Sequence, residues 1–206
     1  MAVFRWARLL CGLFLFALGT VLTLRANLGL SPWDALADGV RYRTPLSFGE
    51  AVITIGIVIV ALTWLAGTRP GPGTIANMIL IGFFADLLLR NGFLAGMIQA
   101  AIPLRAVTCV GGIVLVGLGS ALYIGAELGA GPRDSLMLAV ARKSHRRVGV
   151  ARAVVEGAAF VSGLLLGGRW GVGTLLYAVG IGPSVDLWFT VFKMDNSGRK
   201  KRVEPA

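Results

Sequence analysis

The sequence repeats itself, because the chain aligns with itself without a gap when it is shifted by 100 residues. Three patterns recur in the same order, Leu-Gly-x-x-Pro-x-Asp, Arg-x-Gly-x-Gly-Thr and Ile-Gly-x-x-x-Asp-Leu. The paired segments are 26–36 with 126–136, 69–74 with 169–174, and 81–87 with 181–187. Many of the identical residues are Gly, Pro or Asp, which an apolar composition alone would not align. The chain is therefore predicted to hold two copies of one structural unit.

Long apolar runs define what each copy contains. The 206 residues are 56% hydrophobic and only 15% charged, with a mean hydropathy of +0.78. A helix needs about 20 mostly apolar residues to cross a bilayer, and several runs have that length. The predicted spans are about 8–24, 50–67, 74–90, 107–124, 150–168 and 174–192. A further apolar segment, 93–104, is too short to cross and is predicted to be interfacial or re-entrant.

Three spans per copy would make the second copy enter the membrane from the opposite side. This is the inverted-repeat plan of many secondary transporters. The charge bias agrees, since six spans place most of the 20 Lys and Arg residues on the side of the two termini, and basic loops favour the cytoplasm. We expect an all-α, polytopic transmembrane helix bundle with both termini cytoplasmic. Its parts are repeat unit 1 (1–100, three spans plus the connector), repeat unit 2 (101–192, three spans) and a basic tail (193–206).

The first repeated pattern predicts a short helix in each unit, at about 32–42 and 132–142. Pro32 suits the first helical position, Ser31 the N-cap, and Asp34 the third position of the first turn. Gly131, Pro132 and Asp134 take the same places in the second unit. These residues either only cap a surface helix or form a half-helix whose N-terminus faces a ligand. Because Asp34 would occupy its own helix amides, a cation or proton site at the carboxylates is as open as an anion site.

The second pattern opens the third span of each unit. Thr74 and Thr174 are predicted to cap the helices that follow. A glycine loop, a helix N-terminus and an arginine, Arg69 or Arg169, resemble an anion cradle. The alternative is a tight turn with a capped helix, since Gly and Thr are ordinary turn and cap residues.

Three further carboxylates fall within the predicted spans. Asp86 and Asp186 lie near the ends of the third and sixth spans, and Glu156 lies near the middle of the fifth, one turn after Arg152. Ionisable groups in a bilayer are costly, so they favour a functional hypothesis. The alternatives are headgroup-level positions for the two aspartates and an intrahelical pair of Glu156 with Arg152. Since Gly56 is the counterpart of Glu156, this carboxylate breaks the symmetry.

Other classes of function have little support in the sequence. The net charge of +10 is confined to short segments between apolar runs, so it indicates membrane topology and anionic lipid headgroups as partners rather than nucleic acid. With one histidine, His145, and two cysteines inside apolar runs, neither a metal site nor a disulfide framework is expected. No nucleophile elbow, Walker loop or metalloprotease motif is present. We therefore expect no cofactor and no enzyme activity. The sequence does not decide between a monomer and a homodimer.

The two proline motifs carry a family resemblance. Leu-Gly-Leu-Ser-Pro-Trp-Asp-Ala-Leu at 28–36 and Leu-Gly-Ala-Gly-Pro-Arg-Asp-Ser-Leu at 128–136 resemble the bacterial YczE-type membrane proteins of the YczE/YyaS/YitT group. The segment 171–183, Gly-Val-Gly-Thr-Leu-Leu-Tyr-Ala-Val-Gly-Ile-Gly-Pro, is similar to the closing signature of that family. The first copy departs from it at Phe83 and Phe84, where the second has Pro183 and Ser184. The resemblance implies a bacterial inner-membrane protein of several helices and names no solute.

The leading hypothesis is a small transporter or permease for a solute of unknown identity. The helix breaks and aspartates at matching places in the two copies motivate it. The residues expected to form the substrate or ion site are Asp34, Asp134, Arg69, Arg169, Thr74, Thr174, Asp86, Asp186 and Glu156. The alternative is a non-transporting regulator or assembly partner, whose basic tail and loop 142–152 would bind lipid or another protein.

Overall fold

The computed structural model describes residues 2–194, and within this range the chain is helical almost throughout. The helices are α1 (Ala2–Ala26), α2 (Pro32–Arg43), α3 (Phe48–Leu65), α4 (Pro72–Arg90), α5 (Ile102–Ile124), α6 (Pro132–Ser144), α7 (Val148–Leu165) and α8 (Val172–Val191), with a 3-10 helix at Ala95–Gln99 between α4 and α5. We call residues 2–100 the first half and residues 101–194 the second half. The basic tail predicted at 193–206 lies outside the described residues from position 195 onward.

Six of these helices are long and apolar enough to cross a membrane. They are α1, α3, α4, α5, α7 and α8, which confirms the six predicted spans. The predicted short segment at 93–104 divides into the 3-10 helix and the first turn of α5. The chain is therefore a multi-pass membrane protein, and the large apolar side chains on its outer surface face lipid instead of water.

The first span of each half forms the centre of the bundle. Helices α1 and α5 run antiparallel, because Gly12 meets Gly119 and Tyr123, whereas Gly19, further along α1, meets Gly112. A Cβ added to Gly12 would lie 2.7 Å from the backbone nitrogen of Tyr123. Glycine is therefore required for this close crossing of two membrane helices.

The two short helices, α2 and α6, confirm the predicted proline-initiated helices. Each has Pro at its first position and Asp in its first turn. In α2, the Ser31 side chain caps the helix by accepting a hydrogen bond from the backbone N–H of Asp34 at 3.2 Å. In α6, Gly131 takes the cap position and offers no side-chain acceptor. The same backbone plan is thus capped in one half and uncapped in the other.

Two pairs of neighbouring helices, which we call seams, differ between the halves. In the first half α3 packs closely on α4, whereas α7 and α8 make almost no direct contact in the second half. Instead, α7 packs on α2 and α8 packs on α5. The indole N–H of Trp188 on α8 donates to the backbone oxygen of Val114 on α5 at 3.2 Å. The separation of α7 from α8 leaves space in the interior of the bundle.

Candidate functional site

A cavity of about 380 Å³ occupies the interior between the two short helices. The first turns of α2 and α6 both line it, as do α7 and α8 on their facing sides. Many of its lining residues stand 100 positions apart in the sequence. The charged lining residues nevertheless come from one half. Arg133, Arg152 and Glu156 line the cavity where the first half contributes Trp33, Val52 and Gly56.

Asp34 lies behind the cavity wall, at the start of α2. Its side chain is 3% exposed and accepts a hydrogen bond from the hydroxyl of Ser31 at 2.6 Å. Arg133, at the start of α6, approaches it to 3.7 Å and also lies over the Trp33 ring at 5.2 Å. Burial raises the pKa of Asp34, and this outweighs the lowering by Arg133 and Ser31. An ion pair at the cavity wall thus joins the starts of the short helices α2 and α6.

Asp134 is the equivalent residue of α6, and it faces the cavity directly. Its Oδ2 accepts a hydrogen bond from the Tyr123 hydroxyl at 2.8 Å. Within residues 2–194 it has no ion-pair partner, in contrast to Asp34. Asp134 is only partly buried, so its carboxylate is accessible from the cavity.

Glu156 lines the same cavity from α7. It accepts a hydrogen bond from Arg152, one turn earlier, with the Nε at 3.0 Å from Oε1. This is the intrahelical pair that was the alternative to a functional role, yet both side chains also line the cavity. The structure therefore brings three of the predicted site residues together, namely Asp34, Asp134 and Glu156.

The two predicted glycine cradles are occupied by the chain itself. The backbone N–H of Gly73 donates to the Leu128 oxygen at 2.8 Å, and that of Gly173 donates to the Leu28 oxygen at 2.7 Å. Thr74 accepts from the N–H of Gly71 and donates to the Ala130 oxygen. Thr174 likewise accepts from the N–H of Gly171 at 3.3 Å. These contacts bind each loop to the other half, so the amides that the cradle hypothesis assigned to an anion already have partners.

The two arginines of the cradle motifs have different surroundings. Arg169 donates from Nε to Asp38 Oδ2 at 2.8 Å and from a second nitrogen to Asn27 Oδ1 at 2.7 Å. Arg69 is exposed. Asp38 also pairs with Arg41 at 2.8 Å. Burial raises the pKa of Asp38, but the bonds and charges of Arg169 and Arg41 outweigh burial and bring that pKa below its usual value.

The aspartates near the ends of α4 and α8 lie away from the cavity. Asp86 accepts hydrogen bonds from the Ser47 hydroxyl and from the backbone N–H of Gly49, the latter at 2.8 Å. It therefore fastens α4 to the start of α3. Asp186, its counterpart, is exposed on α8. Neither aspartate is among the residues that line the cavity.

Several cavity residues were not among the predicted site residues. Arg133, Tyr123, Tyr177 and Asn77 all line the cavity. Arg133 had a sequence signal, because it introduces a charge between the repeated Pro and Asp of the motif, where the first copy has Trp33. The tyrosines had none, since an apolar span contains aromatic residues for packing alone. Within residues 2–194 no group of three His, Cys, Asp or Glu side chains could hold a metal ion.

Comparisons with known proteins give the chain a family. Residues 3–190 match the family described as "Family of unknown function (DUF6198)". The "Uncharacterized membrane protein YczE" of Bacillus subtilis is 37% identical over 180 residues, covering 86% of this chain and 81% of that protein. An "Uncharacterized protein" of Haemophilus influenzae is 33% identical over 89% of this chain and 82% of its own length. The "Uncharacterized protein YyaS" of Bacillus subtilis is 29% identical over 80% and 82%, respectively. No solved structure gives a significant match. The chain therefore belongs to the DUF6198 family, and it is similar to the YczE-type membrane proteins that its two proline motifs resemble.

Proposed function

We propose that the chain is a membrane transporter for a small polar solute, which binds in the cavity between α2 and α6. The observation that carries the proposal is the position of this cavity. Membrane-spanning helices line it, and so do the charged side chains of Arg133, Asp134, Arg152 and Glu156. Charged groups within a membrane protein are costly to bury, and they commonly mark a substrate or ion pathway.

The helix arrangement supports an inverted repeat around this site. Helices α1 and α5 occupy equivalent sequence positions and run antiparallel. The loop after each of them bonds to the start of the last helix in the other half, through Gly173 with Leu28 and Gly73 with Leu128. Inverted repeats around broken helices at the substrate site are a recurrent transporter plan.

The unequal seams support a transport cycle with alternating access. Helices α3 and α4 are packed, whereas α7 and α8 are apart and both line the cavity. In an inverted repeat, exchanging these two arrangements between the halves would open the site to the opposite side. The separated α7 and α8 are then the open side of one state.

Flux measurements test the proposal. The purified chain is reconstituted into proteoliposomes and screened by counterflow with radiolabelled amines, amino acids, carboxylates and sugars. We expect uptake of at least one class, lost in Asp134→Asn and retained in the matched control Asp186→Asn, whose side chain is exposed. Uptake that is equal in empty liposomes, in Asp134→Asn and in the wild type would contradict a transport site in the cavity.

A second candidate is a regulator that binds lipid or protein through its basic loop. Residues 142–150 are exposed and include Arg142, Lys143, Arg146 and Arg147. Replacing Arg146 and Arg147 with Gln separates the two functions. A transporter should retain counterflow in this variant. A regulator should lose its cellular effect while the cavity variant Asp134→Asn keeps it.

Cysteine labelling tests the inverted arrangement independently of flux. Tyr42 lies in the last turn of α2 and is 74% exposed, and His145 follows α6 and is also exposed. Tyr42→Cys and His145→Cys, each in a background with Cys11→Ser and Cys109→Ser, should react with a membrane-impermeant maleimide from opposite sides. Labelling of both positions from the same side would exclude the inverted arrangement.

A further inference from the structure

The charges around the cavity do not balance in pairs. Of the five Arg, Asp and Glu side chains at and behind the cavity wall, Arg133 pairs with Asp34 and Arg152 pairs with Glu156. Asp134 is the fifth, and in the described part of the chain its carboxylate has only the Tyr123 hydroxyl as a hydrogen-bond partner. Asp134 is therefore the one carboxylate of this set that has no ion-pair partner within residues 2–194.

A partly buried carboxylate held by a single hydroxyl is poorly satisfied. An ionised carboxyl group accepts several hydrogen bonds and is costly to remove from water unless a cation accompanies it. The hydroxyl of Tyr123 occupies Oδ2, which leaves Oδ1 open for another donor. The placement of Asp134 in the first turn of α6 favours its negative charge. A donor that carries a positive charge would satisfy both the open oxygen and the charge of this carboxylate.

The walls of the cavity distinguish an organic cation from a metal ion. Hard cations such as Ca²⁺ take six to eight oxygen ligands, and Mg²⁺ takes six in near-octahedral geometry. Here only two carboxylates, Asp134 and Glu156, line the cavity, and they share it with the aromatic side chains of Tyr123, Tyr177 and Trp33. Aromatic faces attract ammonium groups. A volume of about 380 Å³ is within the range of small-molecule pockets.

We infer that the cavity binds a small protonated amine, whose ammonium group pairs with Asp134 and whose apolar part lies against the aromatic walls. This inference rests on the proposed function for the role of the cavity, but it concerns binding alone. The solute class is then set by the second half, because Asp134 and Tyr123 both belong to it.

Binding can be measured on the full-length protein in detergent, without a flux assay. The probes are butylammonium, butanol and butyrate at equal ionic strength, which share a chain and differ only in head-group charge. We expect butylammonium to raise the melting temperature with a saturable dose response, and the other two to have no such effect. A response to butyrate, or equal responses to butylammonium and butanol, would overturn the inference.

Two variants locate the ammonium. In Asp134→Asn the apparent Kd for butylammonium should rise at least about tenfold, because truncating one partner of a buried charge pair typically costs that much or more. The control Asp186→Asn should retain the wild-type Kd. If Asp134→Asn does not fold, Tyr123→Phe serves instead. This variant should change the Kd for butylammonium, and butyrate should still have no effect on its melting temperature. An unchanged Kd in the variant that folds would refute the assignment.

The outcomes also separate this inference from the proposed function. Saturable butylammonium binding without amine uptake in proteoliposomes would leave the inference standing and remove the transport function. Uptake confined to carboxylates would support the transport function and overturn the inference. A pH-dependent melting temperature that Asp134→Asn abolishes, with no response to any amine, would make Asp134 a proton site and would overturn the inference.

Discussion

The α3–α4 seam and the α7–α8 seam contain the same glycines and aspartate, but only the first is packed. A Cβ at Gly49 would lie 2.6 Å from Cγ of Asp86, and a Cβ at Gly82 would lie 2.6 Å from the Ile53 side chain. At Gly149 and Gly182, their counterparts, a Cβ would meet no atom within 4 Å. Glycines that permit close packing in one half thus stand in open space in the other.

The side chains around the shared glycines account for the difference. Ser47 caps α3, bonds to Asp86 and forms a capping box with Glu50. The corresponding residues at the start of α7 are Arg147 and Val150, and Arg147 makes no side-chain cap. A glycine pattern therefore permits a close seam, whereas the polar residues at the helix start determine whether it forms.

The largest effect is expected from Gly82→Ala. The new methyl group would collide with the Gly49 backbone and with Ile53 in the packed seam. We expect a loss of about 3 kcal/mol of unfolding free energy, the upper end of the usual cost of overpacking. The measurement is denaturant unfolding in detergent micelles, followed by tryptophan fluorescence.

Gly182→Ala is the matched control for this prediction. Its methyl group enters open space, and Ala is favoured over Gly inside a helix by about 0.5–1 kcal/mol. The variant should therefore be as stable as the wild type or slightly more stable. If the two alanine variants lost equal stability, the α7–α8 seam would be packed in solution, and the comparison between the seams would fail.

The second effect concerns the arginines that open α4 and α8. Arg169→Ala leaves Asp38, which is 3% exposed, with Arg41 as its remaining partner. Removing one partner of a buried pair costs about 3–5 kcal/mol, and the partial exposure of Arg169 reduces this to about 2 kcal/mol. Arg69→Ala should cost less than about 0.5 kcal/mol, because Arg69 is exposed. Equal losses in the same unfolding assay would show that the two loops are equivalent.

A smaller effect is expected at the polar end of the α3–α4 seam. Asp86→Ala removes the acceptor for the Gly49 N–H and the Ser47 hydroxyl. Leaving such donors without a partner costs about 1–3 kcal/mol when they are buried, and we expect about 1 kcal/mol because this site is only partly buried. Asp186→Ala should change the unfolding free energy by less than about 0.5 kcal/mol. A larger loss for Asp186→Ala would indicate a contact that closes the second seam.

The sequence predicted the elements of the fold more fully than the site. The six spans and both short helices follow from apolar length and from proline and capping signals, which act within a few neighbouring residues. The partner of Arg169 could not be read in the same way. Asp38 lies 131 positions away, and its own counterpart in the repeat is Leu138. Pairings across the bundle depend on tertiary packing, which local patterns do not contain.

For the same reason, the positions of the site residues could be predicted from local patterns, whereas their different roles could not. Asp34 and Asp134 occupy a repeated motif, and the short helices that carry them have clear start signals. Because both copies carry the same motif, the repeat gave no reason to expect different roles for the two aspartates. Their different roles come from residues outside the shared pattern, since Arg133 neutralises Asp34 and Tyr123 bonds to Asp134. Departures from the repeat were therefore more informative about the site than the repeat.

The smallest effect is a pH dependence at Asp38, the partner of Arg169 and Arg41. The pKa of Asp38 is lowered from 3.8 in the folded state, so its ion pair stabilises the fold fully above about pH 4. That contribution is lost as the pH falls through the lower, folded pKa. We therefore expect the melting temperature of the wild type to exceed that of Asp38→Asn at pH 6, and the gap to narrow towards pH 3. For the control Asp186→Asn, the difference in melting temperature from the wild type should not narrow between pH 6 and pH 3. A difference in melting temperature that is constant from pH 6 to pH 3 would mean that the Asp38 carboxylate and Arg169 do not pair in solution. The loops that carry Arg69 and Arg169 would then differ in shape only, because neither arginine would form a stabilising ion pair.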